Sequence, residues 1–323
     1  MKLLIVAPSW LGDMVMTQPL VARLKAGGET EIHVLAPVAV LPVAMRMPGV
    51  DHAHLMPIGH GQLALGKRRA LGRALMRQAF DAAYVLPNSF KSALVPWFAK
   101  IPRRTGWRGE FRFCVLNDRH VDASAAPRMV DRFLALAPGS GDCRPRLVAE
   151  PGNTDRVIRE LGLETDAPIV ALCPGSAFGP AKRWPVRHFA EVARYCGARG
   201  AAVWLIGSSD DRPVCAEIAK AYPAVKNLAG LTDLCDAIDL LSIATVVVTN
   251  DSGLMHVAAA LDRKIVALYG STSPAFTPPL HDLAEVLTQP IECSPCFQRT
   301  CRFGHLRCLT EIGPERVIER LSI

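Results

Sequence analysis

One stretch in the second half of the chain, Thr245–Ser271, constrains the fold most strongly. It begins with the β-branched run Val246–Val248, which is typical of a strand buried on both faces. The turn-forming letters NDSG follow, then a short apolar helix over Leu254–Leu261 and a second strand over Ile265–Tyr269. A polar turn that opens a helix at the end of a parallel strand presents unpaired amides and the positive end of the helix dipole. The stretch therefore predicts a phosphate-binding site, although an N-cap without a ligand would leave the same pattern.

Strands that alternate with helices recur through the whole chain. Predicted strands lie, in order, at Lys2–Ala7, Glu31–Ala36, Ala82–Leu86, Ile169–Cys173, Ala202–Ile206, Ala244–Thr249, Ile265–Tyr269 and Glu285–Leu287. Apolar residues at helical spacing predict helices between them, for example over Met14–Lys25. This order, with short connections, favours α/β domains in which helices cover both faces of a parallel sheet.

The length and composition allow two such domains. The chain has 323 residues, enough for two cores, and its 50% hydrophobic and 21% charged residues exclude a disordered chain. A stretch rich in proline and polar residues, Pro145–Pro168, marks the boundary. We predict an N-terminal Rossmann-like domain over residues 1–160 and a C-terminal Rossmann-like domain over 161–312, with a cleft between them.

The net charge of +7 favours an anionic partner such as nucleic acid, acidic lipid or a phosphorylated sugar. Nucleic acid is disfavoured because there is no long basic run and aromatic residues make up only 6% of the chain. The longest nearly apolar run, Val34–Met45, is too short to span a bilayer and contains two prolines. The N-terminal MKLLIVAP lacks the cleavage pattern of a signal peptide, so we expect a cytoplasmic protein.

A basic amphipathic helix is predicted over Gly61–Phe80. Two sets of residues recur every four positions on opposite faces: Leu71, Leu75 and Ala79 on one, and Arg69, Arg73 and Arg77 on the other. Lys67 and Arg68 adjoin the basic face, which favours an anionic partner, but a solvated charged surface would look the same. A second basic cluster surrounds Trp107 and comprises Arg103, Arg104, Arg108 and Arg112.

Two loops in the second half follow predicted strands and carry candidate ligand-binding residues. The loop Pro174–Pro185 contains two glycines, Ser176 and Lys182, so a phosphate could approach its backbone and meet a positive charge. It is neither a Walker A loop nor a GxGxxG sequence, which argues against a P-loop kinase or an ordinary NAD enzyme. Ser208 and Asp210 follow the next strand, where Rossmann-like domains hold a ribose or base, although Asp210 could equally cap a helix.

Asp13 is the candidate catalytic carboxylate. It follows Gly12 in the first strand-to-helix loop, at the edge of the sheet where α/β domains place their functional crevice. There it could act as a general base on a substrate held by the second domain. An N-cap of the following helix is the alternative role.

Four stretches together resemble glycosyltransferase family 9, the ADP-heptose:lipopolysaccharide heptosyltransferases. They are WLGDMVMTQPL, FGPAKRWP, TNDSGLMHVAAAL and CSPCFQRTC, and they occur in order along the whole chain. FGPAKRWP and RTGWRGE are most similar to the type II branch of that family. One departure is Ala177, where an acidic residue would be expected, and it leaves one donor-site contact open.

The resemblance implies a GT-B fold, with two Rossmann-like domains whose parallel sheets face each other across a cleft. The acceptor would bind the N-terminal domain and ADP-heptose the C-terminal one, and a last helix, 313–323, would pack back across the domains. The implied reaction moves L-glycero-D-manno-heptose onto the first heptose of the lipopolysaccharide inner core, which is heptosyl-Kdo-lipid A, with inversion. The protein would be a monomer that binds peripherally to the inner face of the inner membrane.

The resemblance also implies roles for individual residues. Asp13 would be the general base, and Lys182 with the amides of Ser252, Gly253 and Leu254 would hold the ADP leaving group without a metal or other cofactor. Asp251 would cap the helix, and His256 would either reach the phosphates or pack in the core. Ser176, Ser208 and Asp210, from the two loops described above, would complete the donor site. The acceptor's carboxylates and phosphates would meet Lys67, Arg68, Arg69, Arg73, Arg103 and Arg104.

The cysteine-rich tail has two interpretations. Cys293 and Cys296 have the spacing of half a zinc site, but Cys301 and Cys308 are separated by six residues. Reduced thiols in a loop fit this spacing better than a structural zinc does.

Three other functions remain open from the sequence. A type I or type III heptosyltransferase would act on a different core acceptor. A non-catalytic sugar-nucleotide binding protein would bind the donor without turnover. An oxidoreductase is disfavoured by the missing glycine pattern.

Overall fold

The structure, a computed structural model, describes residues 1–59, 61–121 and 126–321. The chain forms two compact units, Met1–Leu147 and the remainder from Val148. The division falls within the Pro145–Pro168 stretch. The helix Pro151–Leu161 belongs to the second unit, where Asn153 Nδ2 donates to Asp239 Oδ2 at 2.7 Å.

The first unit is built on a six-stranded parallel sheet. Its strands are β1 (Lys2–Val6), β2 (Glu31–Pro37), β3 (His52–Met56), β4 (Ala82–Val85), β5 (Arg103–Trp107) and β6 (Asp118–His120), in the spatial order β3-β2-β1-β4-β5-β6. Its helices are α1 (Leu11–Val15), α2 (Gln18–Ala26), α3 (Leu41–Met45), α4 (Leu65–Met76), α5 (Leu94–Phe98) and α6 (Met129–Leu134). Leu3, Leu4 and Ile5 of β1 are fully buried, as expected for a central strand covered on both faces.

The second unit repeats this architecture. Its strands are β7 (Ile169–Cys173), β8 (Ala202–Leu205), β9 (Lys226–Asn227), β10 (Val246–Asn250), β11 (Lys264–Tyr269) and β12 (Ala284–Thr288), in the spatial order β12-β11-β10-β7-β8-β9. Its helices are α7 (Pro151–Leu161), α8 (Val186–Gly197), α9 (Arg212–Ala221), α10 (Leu234–Ser242), α11 (Gly253–Ala260), α12 (Arg307–Thr310) and α13 (Pro314–Ile318). The predicted Rossmann-like α/β fold is confirmed in both units.

The strand order places a functional edge in each unit. In the first sheet, β2 and β3 lie on one side of β1, and β4, β5 and β6 lie on the other. In the second sheet, β8 and β9 lie on one side of β7, and β10, β11 and β12 lie on the other. The pairs β1/β4 and β7/β10 are therefore the topological switch points of the two sheets. In open parallel sheets, ligands bind beyond the carboxyl ends of such a pair of strands. The loop with Asp13 follows β1, and the loops with Lys182 and Ser252 follow β7 and β10.

Several local features differ from the sequence-based expectations. The single helix expected over Met14–Lys25 is two helices, α1 and α2, because Pro19 lacks an N–H and instead occupies the first turn of a new helix. The strands β3, β5, β6 and β9 were not predicted. They are short or carry many polar residues, so they lack the apolar run that marks a central strand.

The basic helix is shorter than predicted: Arg77 is its C-cap, and Ala79, expected on the apolar face, lies beyond the helix and is exposed. Helix α4 turns Arg68, Gly72 and Leu75 inward. Arg68 is only 4% exposed, and its guanidinium donates to the carbonyl oxygens of Leu63 at 2.7 Å and Gln62 at 3.1 Å. Its assignment to an exposed acceptor-binding face is therefore wrong.

The C-terminal helix α13 packs on α8 of the second unit, and Val317 lies in the core of that unit. The last two residues of the predicted 313–323 segment lie outside the described residues. Within the described part of the chain, none of the helices is long and apolar enough to cross a bilayer.

Gly72 marks a close approach of α4 to α5. A Cβ built there would lie 2.5 Å from Phe98 Cβ and 2.8 Å from the Val95 carbonyl oxygen, whereas a Cβ at Gly66 in the same helix meets nothing within 4 Å. We expect Gly72→Ala to lower the free energy of unfolding by about 1–3 kcal/mol through overpacking. Gly66→Ala, the matched control, should raise it by about 0.5 kcal/mol through helix propensity. Urea denaturation of both variants measures this, and equal effects would contradict the packing argument.

Candidate functional site

The candidate site of the second unit is organised by the buried side chain of Asn250. This residue ends β10 and is fully buried. Its Nδ2 donates to the Pro174 carbonyl oxygen at 2.7 Å, and its Oδ1 accepts from the Trp184 amide at 3.0 Å. These bonds hold both ends of the loop after β7 against the end of β10. Sequence reasoning treated Asn250 only as a turn residue, and no pattern in the sequence reveals these bonds.

Lys182 lies in this loop and forms an ion pair with Asp251. Its Nζ is 2.6 Å from Asp251 Oδ2, and the two side chains are only 12% and 4% exposed. Thr272, which follows β11, donates from Oγ1 to the same carboxylate oxygen. The ammonium group also lies 4.8 Å from the centroid of the Phe178 ring. The loops after three neighbouring strands therefore fix a positive charge at the carboxyl edge of the sheet.

Asp251 does not cap the helix, in contrast to the expectation from the sequence. The N-cap of α11 is Ser252, which has extended φ and ψ angles, and its hydroxyl lies 3.3 Å from Thr249 Oγ1. The carboxylate of Asp251 is used by Lys182 and Thr272 instead. The first amides of α11, beginning at Gly253, have no acceptor within the helix, as at every helix N-terminus.

Among the buried polar atoms near this edge, Ser176 Oγ, Ser271 Oγ and His256 Nδ1 have no hydrogen-bond partner among the described residues. Their residues are 4%, 1% and 3% exposed. Buried polar atoms in native proteins nearly always have partners, so these atoms indicate a place where a polar ligand or water is expected. The sequence pointed to Ser176 and His256, but it gave Ser271 and Thr272 no role beyond ending a strand.

Burial lowers the pKa of His256 to about 4, and Lys182 acts in the same direction, while Asp251 opposes the shift. The imidazole is therefore neutral near pH 7. It can accept or donate a hydrogen bond at Nδ1 without adding positive charge to the site.

Ser208 and Asp210 lie beyond β8, next to the loop after β7. Ser208 forms a capping box with Asp211, because Asp211 Oδ2 accepts from the Ser208 amide at 3.0 Å and from its hydroxyl at 2.8 Å. Asp210 is exposed and does not cap. A Cβ at Gly175 would lie 2.3 Å from the Asp211 carboxylate, so a glycine at this position allows the two loops to meet.

In the first unit, Asp13 lies in the first turn of α1, and the N-cap of this helix is Trp10. Asp13 is therefore not the N-cap. The hydroxyl of Thr17 donates to the Asp13 carbonyl oxygen at 3.0 Å, which fixes the end of this turn. A carboxylate in the first turn is stabilised by the helix dipole.

The basic residues of the first unit separate into two groups. Lys67, Arg69 and Arg73 are exposed along α4. By contrast, Arg103 and Arg104 lie in β5: Arg103 Nη2 is 2.8 Å from Asp118 Oδ2, and Arg104 Nε donates to the Val115 carbonyl oxygen at 2.7 Å. Both arginines therefore have partners at this side of the sheet, but the side chain of Arg103 is still 57% exposed, so exposed positive charge lies on α4 and at Arg103.

The four cysteines of the tail are free thiols, with Cys308 buried and the others half-buried. Backbone amides around Cys301 lower the pKa of its thiol. Among the described residues, no three of Cys293, Cys296, Cys301, Cys308 and His305 bring their ligand atoms within 4.8 Å of one another. Burial, and after it the nearby thiols of Cys293, Cys296 and Cys301, raise the pKa of Cys308 to about 11, so the four sulfurs form a cluster that lacks the ligand spacing of a zinc site.

Comparisons with known proteins bear directly on this architecture. The model of glycosyltransferase family 9 (heptosyltransferase) matches residues 68–307. The chain is 45% identical to lipopolysaccharide heptosyltransferase 2 of Salmonella typhimurium, over 99% of this chain and 97% of that protein. It is 43% identical to lipooligosaccharide heptosyltransferase 2 of Haemophilus influenzae, over 100% and 99% of the two chains. The solved structure of the E. coli ADP-heptose heptosyltransferase II superposes with a TM-score of 0.88, at 43% identity over 100% and 98% of the two chains.

We expect protonation of His256 to destabilise the fold in acid. Its pKa is about 4 in the folded state and 6.5 in the unfolded reference, so between these values the unfolded state binds more protons and stability falls as pH falls. His256 contributes up to about 1.4 kcal/mol per pH unit to the slope of the free energy of unfolding against pH, and this contribution should be absent in the His256→Asn variant. Urea denaturation at about pH 5 and about pH 7 measures it, and an unchanged slope in the variant would contradict the assignment.

Proposed function

The chain belongs to glycosyltransferase family 9, the heptosyltransferases, and from this membership we propose the reaction that it catalyses. It transfers L-glycero-D-manno-heptose from ADP-heptose to the first heptose of the lipopolysaccharide inner core. The observation that carries the proposal is the identity of 45% over nearly the full length to a lipopolysaccharide heptosyltransferase 2. The charged and polar edge of the second unit supports it, since a sugar nucleotide requires a site for a diphosphate.

The diphosphate of the donor would lie at the N-terminus of α11. The amides of Ser252, Gly253 and Leu254 are there, and Asp251 holds the Lys182 ammonium beside them. Ser176, Ser208, Asp210 and His256 would complete the donor site. As the bond to the sugar breaks, negative charge grows on the departing ADP, and fixed donors stabilise it without reorganisation.

Asp13 would serve as the general base for the acceptor. Its carboxylate takes the proton from the attacking acceptor hydroxyl, whose oxygen forms the new bond to the anomeric carbon. The bond from this carbon to the donor phosphate oxygen breaks, and ADP leaves with the electron pair. Because attack occurs opposite the leaving group, the configuration at the anomeric carbon inverts. Placement of Asp13 after β1, at the functional edge of the first unit, supports this role.

The reaction would require no divalent metal or other cofactor, because Lys182 and the helix amides supply the positive potential that a metal would otherwise provide. Transfer in the presence of EDTA tests this directly. A requirement for added Mg²⁺ would contradict it.

The exposed basic face of α4 would meet the anionic acceptor. Lys67, Arg69 and Arg73 point positive charge toward solvent, where Kdo carboxylates, lipid A phosphates and acidic membrane lipids could bind. We propose that the protein acts as a monomer, bound peripherally to the inner face of the inner membrane. Binding to anionic vesicles that falls with added salt would support this, and salt-independent binding would not.

Two alternatives differ in substrate or in activity. A type I or type III heptosyltransferase would prefer another core acceptor, and a binding protein would hold ADP-heptose without turnover. A panel of purified acceptors distinguishes them: heptosyl-Kdo-lipid A should be used in preference to Kdo-lipid A. Preference for the acceptor that lacks heptose would indicate type I, and donor binding without ADP release would indicate a binding protein.

Replacement of Asp13 tests the general base. We expect Asp13→Ala to lower kcat at least about 10²-fold while ADP affinity stays nearly unchanged. ADP release in the presence of both substrates gives the rate, and calorimetry with ADP is the control for intact donor binding. Near-normal turnover in the variant would remove Asp13 from the mechanism.

Replacement of Lys182 tests the diphosphate site. We expect Lys182→Ala to weaken ADP-heptose binding and to lower kcat, because the charge contacts the leaving group before and during the reaction. Lys220→Ala, which removes an exposed lysine from α9 of the same unit, is the matched control and should change neither. Equal kinetics in the two variants would show that the loop after β7 is structural only.

A further inference from the structure

A cluster of histidines lies on one face of the first sheet, away from the proposed reaction site. Strands β2 and β3 pair in parallel with His33 opposite His52 and Leu35 opposite His54. Because side chains alternate along a strand, Glu31 lies on the same face as His33, and His54 on the same face as His52. Glu31 and His33 are near the amino end of β2, whereas the loops of the proposed reaction follow carboxyl ends.

Three of these side chains converge on one point. Glu31 Oε1 lies 2.9 Å from His33 Nε2 and 3.2 Å from His52 Nε2. All three ligand atoms lie within 4.8 Å of one another, and they are the one such group within the described part of the chain. Ligands at about 2.05 Å from a tetrahedral zinc ion are separated by about 3.3 Å. Small movements of the side chains would therefore place all three around one ion.

We propose that Glu31, His33 and His52 form a binding site for a divalent transition-metal ion, with Zn²⁺ the ion that suits this ligand set best. Two imidazoles and one carboxylate are typical zinc ligands, and they leave a fourth position for water. The side chain of His52 is 56% exposed, so solvent reaches this side of the site. The Glu31 carboxylate also borders an open surface depression, together with Lys2, Asp51 and Asp81.

His33 is held in the orientation that the site requires. It is 2% exposed, and its ring meets Phe80 edge to face with the centroids 4.9 Å apart. Its Nδ1 lies 2.7 Å from His54 Nε2. With the metal bound, His33 would carry its proton on Nδ1 and donate it to His54 Nε2, so that its own Nε2 has a lone pair for the ion, which is how histidine ligands are usually oriented.

The charge next to the site leaves one oxygen of the Glu31 carboxylate to the histidines. The Nζ of Lys2 lies 3.4 Å from Glu31 Oε2, so Glu31 Oε1 is available to the two histidines. Without the metal, this carboxylate oxygen accepts from the histidine rings. With it, the ion would join edge strand β3 to β2.

The test uses the tag-free full chain, stripped of metal with EDTA and then freed of chelator. Cys293→Ser and Cys296→Ser are introduced together so that thiols do not compete for the ion. We expect calorimetry with ZnCl₂ to give one site per chain and zinc to raise Tm. Cobalt in place of zinc should bind without the charge-transfer absorption of a thiolate ligand.

His52→Gln removes an exposed ligand with little risk to folding and should weaken zinc binding at least about 10-fold. Glu31→Gln should do the same. His120→Gln, the same substitution in β6 of the same sheet, is the matched control and should bind zinc as the parent does. Absence of zinc binding in the parent, or equal affinity in the His52→Gln variant, would overturn the proposal. Heptosyl transfer by zinc-free protein is measured separately, so failure of this site leaves the proposed reaction untouched.

Discussion

The side chain of Asn250 is the constraint on which the proposed donor site depends. It is fully buried at the end of β10, and it bonds to the chain at Pro174 and at Trp184, the two ends of the segment that carries Ser176 and Lys182. Water cannot substitute easily at such a position, because the amide supplies a donor and an acceptor to groups that would otherwise be buried without partners. The loop after β7 is thereby held in register with the helix that follows β10. Trp184 extends the constraint, since its Nε1 donates to the Ile312 carbonyl oxygen at 2.8 Å near the C-terminus.

The ion pair of Lys182 and Asp251 follows from this arrangement. A buried pair of charges contributes little net stability, because desolvation of both ions offsets their attraction. The ion pair instead fixes the position of the lysine: Asp251, which also accepts from Thr272, holds the ammonium group of Lys182 at the start of α11. Unpaired polar atoms at Ser176, Ser271 and His256 surround the same edge. Such an edge is preorganised for a diphosphate, which is what transfer from a nucleotide sugar requires.

The sequence predicted the central strands and the α/β class because β1, β7, β10 and β11 each contain a short run of apolar, mostly β-branched or large aliphatic residues, which is typical of a strand buried on both faces. It missed β5 because Arg103 and Arg104 read as a charged surface. Their guanidinium groups in fact bond to Asp118 and to the Val115 carbonyl oxygen, and these partners become neighbours only when the sheet forms. Arg68 was assigned to the wrong face for the same reason, since its acceptors are the carbonyl oxygens of Leu63 and Gln62 in the preceding loop. The role of Asp251 was also predicted wrongly, because the residues around it are the same whether its carboxylate caps the helix or pairs with a lysine from a distant loop.

The central claim is that the loops after β7 and β10 hold a diphosphate, and a crystal structure of the protein with ADP tests it most directly. The account predicts phosphate oxygens at about 3 Å from Lys182 Nζ and from at least one amide among Ser252, Gly253 and Leu254. Ordered ADP that touches neither the ammonium group nor these amides would contradict it.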